Sequence, residues 1–239
     1  MLSEDYYDQI VNLTERIRKT QREAMLESAS LIAESLSKGH VLHAFGSGHS
    51  YMIVKEVVGR AGGLVPVNGV YDPTEGVAER IAGYAAPLLK RYESRFGLRQ
   101  GEVMIIISNS GRNPLPIEMA LEAQARGLST IGITSLAYSQ SSSSRHASGK
   151  RLYEIVDIVL DNCGEIGDAL VEIKELGQRA GPGSTIGGAL LINMVMLETI
   201  ERLIETGHTP PVLKSANLDG ADEFNQKLME QYRGRLSWL

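Results

Sequence analysis

The chain has 239 residues, 43% of them hydrophobic and 22% charged, a balance that excludes a disordered or fibrous protein and suits a single α/β domain. Its formal charge of −5 at pH 7 carries no basic excess, so nucleic acid is not an expected partner. The one cysteine, Cys163, excludes an internal disulfide and a Cys-rich metal cluster, and reads as a small core or loop residue.

The acidic N-terminus reaches no apolar signal core, and no later run approaches the ~20 apolar residues of a membrane span. A cytoplasmic location without a membrane partner is expected. From Tyr6 to Leu36, apolar residues recur every three or four positions with charges between them, which predicts one long amphipathic helix. Gly39 is its expected C-terminal cap.

Short apolar runs then alternate with helical patterns. Residues 41–46, 64–68, 103–108, 129–134 and 155–160 are continuous rather than alternating in apolar character, as in strands covered on both faces. Helical patterns near 50–61, 75–95 and 114–126 fall between them, which predicts a right-handed parallel sheet with helices on both sides. Residues 135–150 form a serine-rich loop without periodicity, after a strand end where ligands bind in open sheets. A last helix, 184–205, is apolar around much of its girth, as expected of a buried element or a subunit contact.

The first strand ends in Gly46-Ser47-Gly48-His49-Ser50 and runs into a helix. That geometry aims backbone N–H groups at one point, and Ser47 and Ser50 add hydroxyl donors. Tyr51 stands where a dinucleotide fingerprint needs its last glycine, and no GxxxxGK[ST] run is present, so neither a Rossmann cofactor nor a P-loop is indicated. The third strand ends similarly, in Ser108-Asn109-Ser110-Gly111-Arg112-Asn113 followed by Pro114. Two such turns at strand ends can converge on one phosphate, which needs several donors.

The segments FGSGHS, IISNSGRN and GLSTIGITS together resemble the sugar isomerase (SIS) domain over roughly residues 38–205. The resemblance implies a three-layer αβα sandwich around a five-stranded parallel, flavodoxin-like sheet. It makes 1–37 and 206–239 helical extensions of a single SIS domain, and puts serines of both turns on the phosphate of a sugar. Over its length the chain is also similar to a bacterial group of stand-alone SIS proteins, on segments 145–151 and 215–220. Asn113 departs from the Ser or Thr usual in that position, although its amide can still donate to phosphate.

Exchanging aldose and ketose phosphates needs a base that moves a proton between adjacent carbons. Glu75 lies after the second strand, where several SIS enzymes carry a glutamate; a helix N-terminal role is its alternative. Glu56, in Glu56-Val57-Val58-Gly59-Arg60, resembles the Glu-x-x-Gly-Arg segment of phosphoheptose isomerase, and an ordinary i,i+4 pair with Arg60 is the alternative. His146 is a candidate for sugar ring opening, or a solvated loop residue. His49 can touch a ligand or face solvent, and His208 can reach a neighbouring subunit or cap a helix. No metal-ligand spacing such as HExxH or CxxC occurs, so neither metal nor cofactor is expected.

The expected function is therefore sugar-phosphate isomerisation by general acid/base catalysis, in a homodimer or homotetramer as the resemblance implies. The alternatives are a lyase resembling N-acetylmuramic acid 6-phosphate etherase and a non-catalytic phosphosugar sensor.

Overall fold

The computed structural model describes residues 1–239. Five parallel strands, β1 (Leu42–Gly46), β2 (Val67–Val70), β3 (Val103–Ile107), β4 (Ser129–Thr134) and β5 (Ile158–Asp161), pair in the order β2-β1-β3-β4-β5. This is the expected flavodoxin-like sheet. Successive side chains alternate between its faces: Val103, Ile105 and Ile107 enter one core, Met104 and Ile106 the other. Both faces are covered, which is why the strands read as unbroken apolar runs.

One layer consists of α1 (Leu2–Thr20), α2 (Arg22–Ser37), α3 (Tyr51–Val57) and α7 (Ser184–Glu205). The other is built mainly by α4 (Ala85–Phe96) and α5 (Pro114–Ala125). Fully buried side chains such as Leu13, Ile32, Leu115 and Leu191 fill the two cores, each removing enough apolar surface from water to contribute about 1.5–3 kcal/mol. No helix is long and apolar enough to cross a membrane.

The expected N-terminal helix is two helices. Gln21 leaves helical geometry at ψ 4°; its Oε1 accepts from the N–H of Asp161, at the end of β5, at 2.9 Å. The second strand begins at Val67 rather than 64, because Pro66 has no N–H to continue a ladder. Leu64 instead bridges Val212 antiparallel, and the N–H of Val65 donates to Pro211.

The helix expected over 75–95 begins only at Ala85. Before it, Pro73, two positive-φ glycines, Gly76 and Gly83, and a left-handed Glu75 (φ 51°) make an irregular loop with one 3-10 turn, Val77–Arg80. The serine-rich loop contains a short helix, α6 (Leu136–Gln140), capped by the Ser135 hydroxyl, which accepts from the N–H of Tyr138.

The antiparallel hairpin β6 (Ala169–Ile173) and β7 (Gln178–Pro182) was not expected, whereas α8 (Ala221–Glu230) falls in the expected C-terminal helical extension. The residues after α8 run back along the edge strand β2. Trp238 Nε1 donates to the carbonyl of Val67 at 3.0 Å, and Leu236 is buried with Val41 and Val65. An edge covered this way cannot recruit another strand.

Candidate functional site

The strand order reverses between β1 and β3, whose neighbours run away on opposite sides. A crevice opens at the carboxyl ends of strands at such a point. Both hydroxyl-rich turns leave from these two strands, so the topology alone brings them together. They line one cavity of about 340 Å³, to which Ser47, Gly48, His49 and Ser50 contribute from the first turn and Ser108, Asn109, Ser110 and Asn113 from the second.

Each turn depends on glycine. A Cβ on Gly46 would lie 2.6 Å from the carbonyl oxygen of Ser50, a backbone contact that cannot yield. Gly111, at φ 58°, has the Ser139 and Thr134 hydroxyls 3.0 and 3.1 Å from where a Cβ would stand. Its N–H donates to Ser108 Oγ at 3.3 Å, closing the second turn. The N–H of Ser110 is taken by no backbone carbonyl, and Ser110 lines the cavity. Gly46, Gly111 and Arg112 therefore stand behind the cavity wall rather than in it. Arg112 is turned to the serine-rich loop, where Nε donates to the Ser143 carbonyl at 2.9 Å.

The loop after β2 forms the third wall. Asp72, 3% exposed, accepts at Oδ1 from the N–H and hydroxyl of Thr74 at 2.9 and 2.7 Å, and at Oδ2 from the N–H of Gly76 at 3.1 Å. Gly76 packs so closely on the first turn that a Cβ there would be 3.0 Å from both Cα and N of Gly48. Glu75 and Glu79 thereby line the cavity beside His49. Their carboxylates and the imidazole are groups able to accept and return protons.

The fourth wall comes from the far end of the chain. Asp168 accepts the N–H and hydroxyl of Ser184 at 2.8 and 2.6 Å, fixing the start of α7 so that Ser184 and Thr185 face the cavity with Asn162 and Tyr138. Asn162 Nδ2 donates to Asn109 Oδ1 at 3.0 Å, tying this wall to the second turn. Glu79, Tyr138, Asn162, Asp168, Ser184 and Thr185 were missed by sequence reasoning. Tyr138 falls in the serine-rich loop placed at a strand end, and the Asp-Pro-Thr of Asp72–Thr74 is a turn signal by which the third wall could have been found; nothing local marked the others.

Two expected catalytic residues lie elsewhere. Glu56 is ion-paired with Arg60 and accepts from Asn193 Nδ2 at 3.0 Å, lining a separate groove between α3 and α7. It stands six residues beyond Ser50 along α3, nearly two helical turns away from the serine turn. His146 is held by Ser148 Oγ at 2.8 Å, with Nε2 3.8 Å from Glu118 Oε1, outside the cavity. Cys163 is half-buried and burial raises its thiol pKa, against nucleophilic use. His208 lies beyond α7, with Nδ1 3.2 Å from Thr206 Oγ1.

The family model described as the SIS domain matches residues 5–135. The UPF0309 protein of Listeria monocytogenes is 39% identical over 234 residues, 98% of each chain, and that of Thermoanaerobacter pseudethanolicus is 42% identical over 98% of this chain and 99% of its own. Among solved structures, a phosphoheptose isomerase from Francisella tularensis aligns over 83% of this chain and 96% of its own, with a TM-score of 0.55 at 14% identity. The Vibrio vulnificus NanR protein complexed with ManNAc-6P aligns over 96% of this chain and 68% of its own, with a TM-score of 0.54 at 13% identity; at such identities the likeness is one of fold. The chain belongs to the SIS domain family and, within it, to the UPF0309 proteins.

Proposed function

We propose that the cavity binds a phosphorylated sugar and that the protein interconverts its aldose and ketose forms. The observation that carries this reading is the convergence of two serine turns from β1 and β3 with Glu75 on one cavity at the sheet's switch point. The serine hydroxyls, Asn113 and backbone N–H groups take the phosphate. Glu75, the carboxylate on the loop beside the first turn, removes the proton from the carbon next to the carbonyl. The enediol that forms receives that proton at the former carbonyl carbon, while a proton moves from one oxygen to the other, so no atom is gained or lost. His49, in the place expected of His146, protonates the ring oxygen for opening.

Within this reading the protein works in the cytoplasm as a homodimer or homotetramer, with no cofactor. The resemblance in fold to NanR in complex with ManNAc-6P favours a second reading, a phosphosugar sensor without turnover. Thermal unfolding with sugar phosphates and their dephosphorylated parents tests the shared part, since a ligand of the native state must raise the midpoint. Stabilisation that disappears on dephosphorylation and in Ser110→Ala is expected; no stabilisation by any phosphosugar overturns both readings. Product analysis then separates enzyme from sensor.

A further inference from the structure

The cavity wall contains three carboxylates, Glu75, Glu79 and Asp168, and no lysine or arginine. A phosphomonoester brings about −1.5 to −2 charges at pH 7. Hydroxyls and N–H groups alone leave that charge beside others of the same sign.

A guanidinium reaches this wall from outside. Arg145 Nη1 donates to Oδ1 of Asn113 at 2.8 Å. Asn113 is 7% exposed and lines the cavity. A guanidinium can only donate, so the atom it meets is the amide oxygen, which leaves both protons of Nδ2 for the cavity. Among the neighbouring basic groups, His146 lies 3.8 Å from Glu118 and Arg151 is 2.7 Å from Glu154, while the Arg112 guanidinium is spent on Ser143. Arg145 has no carboxylate within 4.0 Å.

The serine-rich loop is built to keep Arg145 there. Its own N–H donates to the carbonyl of Arg112 at 2.8 Å. Arg112 answers with Nε on the Ser143 carbonyl at 2.9 Å and Nη2 on Ser143 Oγ at 3.3 Å. The loop and the second turn are thus stapled together, with a cation behind the one amide of the turn that differs from the usual hydroxyl.

We propose that Arg145 is a positioning residue for the anion site: it holds the Asn113 amide with its NH₂ toward the phosphate and brings the positive charge that the cavity wall lacks. The proposal rests on the phosphosugar reading for its ligand, and on the Arg145–Asn113 contact for its mechanism. A serine in place of Asn113 would rotate its hydroxyl to suit the ligand without a partner, so the arginine and the amide act as a pair.

The test is calorimetric titration of the full chain with inorganic phosphate and with fructose 6-phosphate. It compares the unaltered protein, Arg145→Met, Arg145→Lys, Asn113→Ser and the double variant Arg145→Met/Asn113→Ser. Arg145→Met should weaken binding about tenfold to a hundredfold, the range of a hydrogen bond to a charged group; Arg145 is exposed, so any fall in melting temperature should be no more than the loss of its one bond to Asn113 Oδ1. Arg145→Lys should recover part of the loss. In the Asn113→Ser background, Arg145→Met should cost clearly less than in the unaltered chain, since the amide it positions is gone and only its charge remains to be lost.

In the ligand-free protein, the side-chain amide resonances of Asn113 should move in Arg145→Met while those of Asn193 stay. Equal phosphate binding by Arg145→Met and the unaltered chain overturns the proposal alone, as does the same penalty in both backgrounds. Should the unaltered chain bind neither probe, the phosphosugar reading falls with the ligand, and Asn113 resonances indifferent to Arg145→Met overturn the positioning as well.

Discussion

Asp72 and Gly76 are joined across the loop that carries Glu75: Asp72 Oδ2 accepts the Gly76 N–H at 3.1 Å, while Gly76 rests against Gly48 of the first turn. One carboxylate therefore registers the loop against the serine turn. Asp72→Ala leaves the N–H groups of Thr74 and Gly76 and the Thr74 hydroxyl without their acceptor. The expected cost is about 2 kcal/mol of stability, read as a lower urea midpoint, together with weaker phosphosugar binding. Asp72→Ala with unaltered stability and binding would remove the loop's assigned role.

Glu75 occupies left-handed backbone at φ 51° without being glycine, a conformation that costs about 1 kcal/mol or more and is tolerated where the surroundings enforce it. If it is the base, Glu75→Gln lowers turnover by about 10²–10⁴ and leaves the phosphosugar dissociation constant within about threefold. Solvent deuterium entering the sugar should vanish with it. Glu79→Gln retaining less activity than Glu75→Gln would transfer the role to Glu79.

The sheet and both turns were legible because their physics is local. Parallel strands buried on both faces read as unbroken apolar runs, and Gly46 and Gly111 stand where a Cβ has no room. The Glu56–Arg60 pair was equally legible as the i,i+4 contact it forms. The cavity's remaining walls were not. Asp168 meets Ser184 sixteen residues on, and Asn162 meets Asn109 fifty-three residues back. Only the closed fold brings such pairs together, and neither spacing has a helical or strand period. Glu75 was legible as a residue type after β2, while Asp72, which holds its loop, was hidden in a turn motif common to many proteins.

His43 and Glu102 form a fully buried pair, with Nε2 2.9 Å from Oε2, Tyr92 at Nδ1 and Arg235 on Oε1. Burial pushes the His43 pKa down and outweighs the pull of the Glu102 contact, so the ring is neutral and the Tyr92 hydroxyl donates to it. Burial raises Glu102, but its bonds to His43, Arg235 and the Arg99 N–H prevail and bring it from 4.5 to about 2. Both depressed values act in one direction. The unfolded chain takes up His43's proton below 6.5 and Glu102's below 4.5, before the folded chain does, so stability falls as pH drops. Urea midpoints should be highest above pH 6.5, show a first decline once pH drops below 6.5, and decline further as pH falls from 4.5 toward 2. In His43→Gln the first decline should flatten; an unchanged slope would show that another group titrates.

Asn68, fully buried on β2, ties the C-terminal segment with both ends of its amide: Nδ2 donates to the Arg235 carbonyl at 3.0 Å, and Oδ1 accepts from the N–H and hydroxyl of Ser237 at 2.8 and 2.6 Å. Arg235 in turn reaches Glu102 at 2.6 Å, and Trp238 packs where a Cβ on Gly59 would be 2.8 Å from its ring. The segment is held by polar bonds at the amino end of the sheet, opposite the cavity at its carboxyl end. Asn68→Ala removes the acceptor of two donors and the donor of one carbonyl, a loss of about 2–3 kcal/mol. The stronger expectation is local, because the segment then opens without unfolding the sheet. Limited proteolysis should cut Asn68→Ala within residues 231–239 well before the unaltered chain, and Trp238 fluorescence should shift to the red. Phosphosugar binding should persist, since nothing at the carboxyl ends of β1 and β3 is touched. Loss of binding in a variant that keeps its far-ultraviolet dichroism would mean that the two ends of the sheet are coupled.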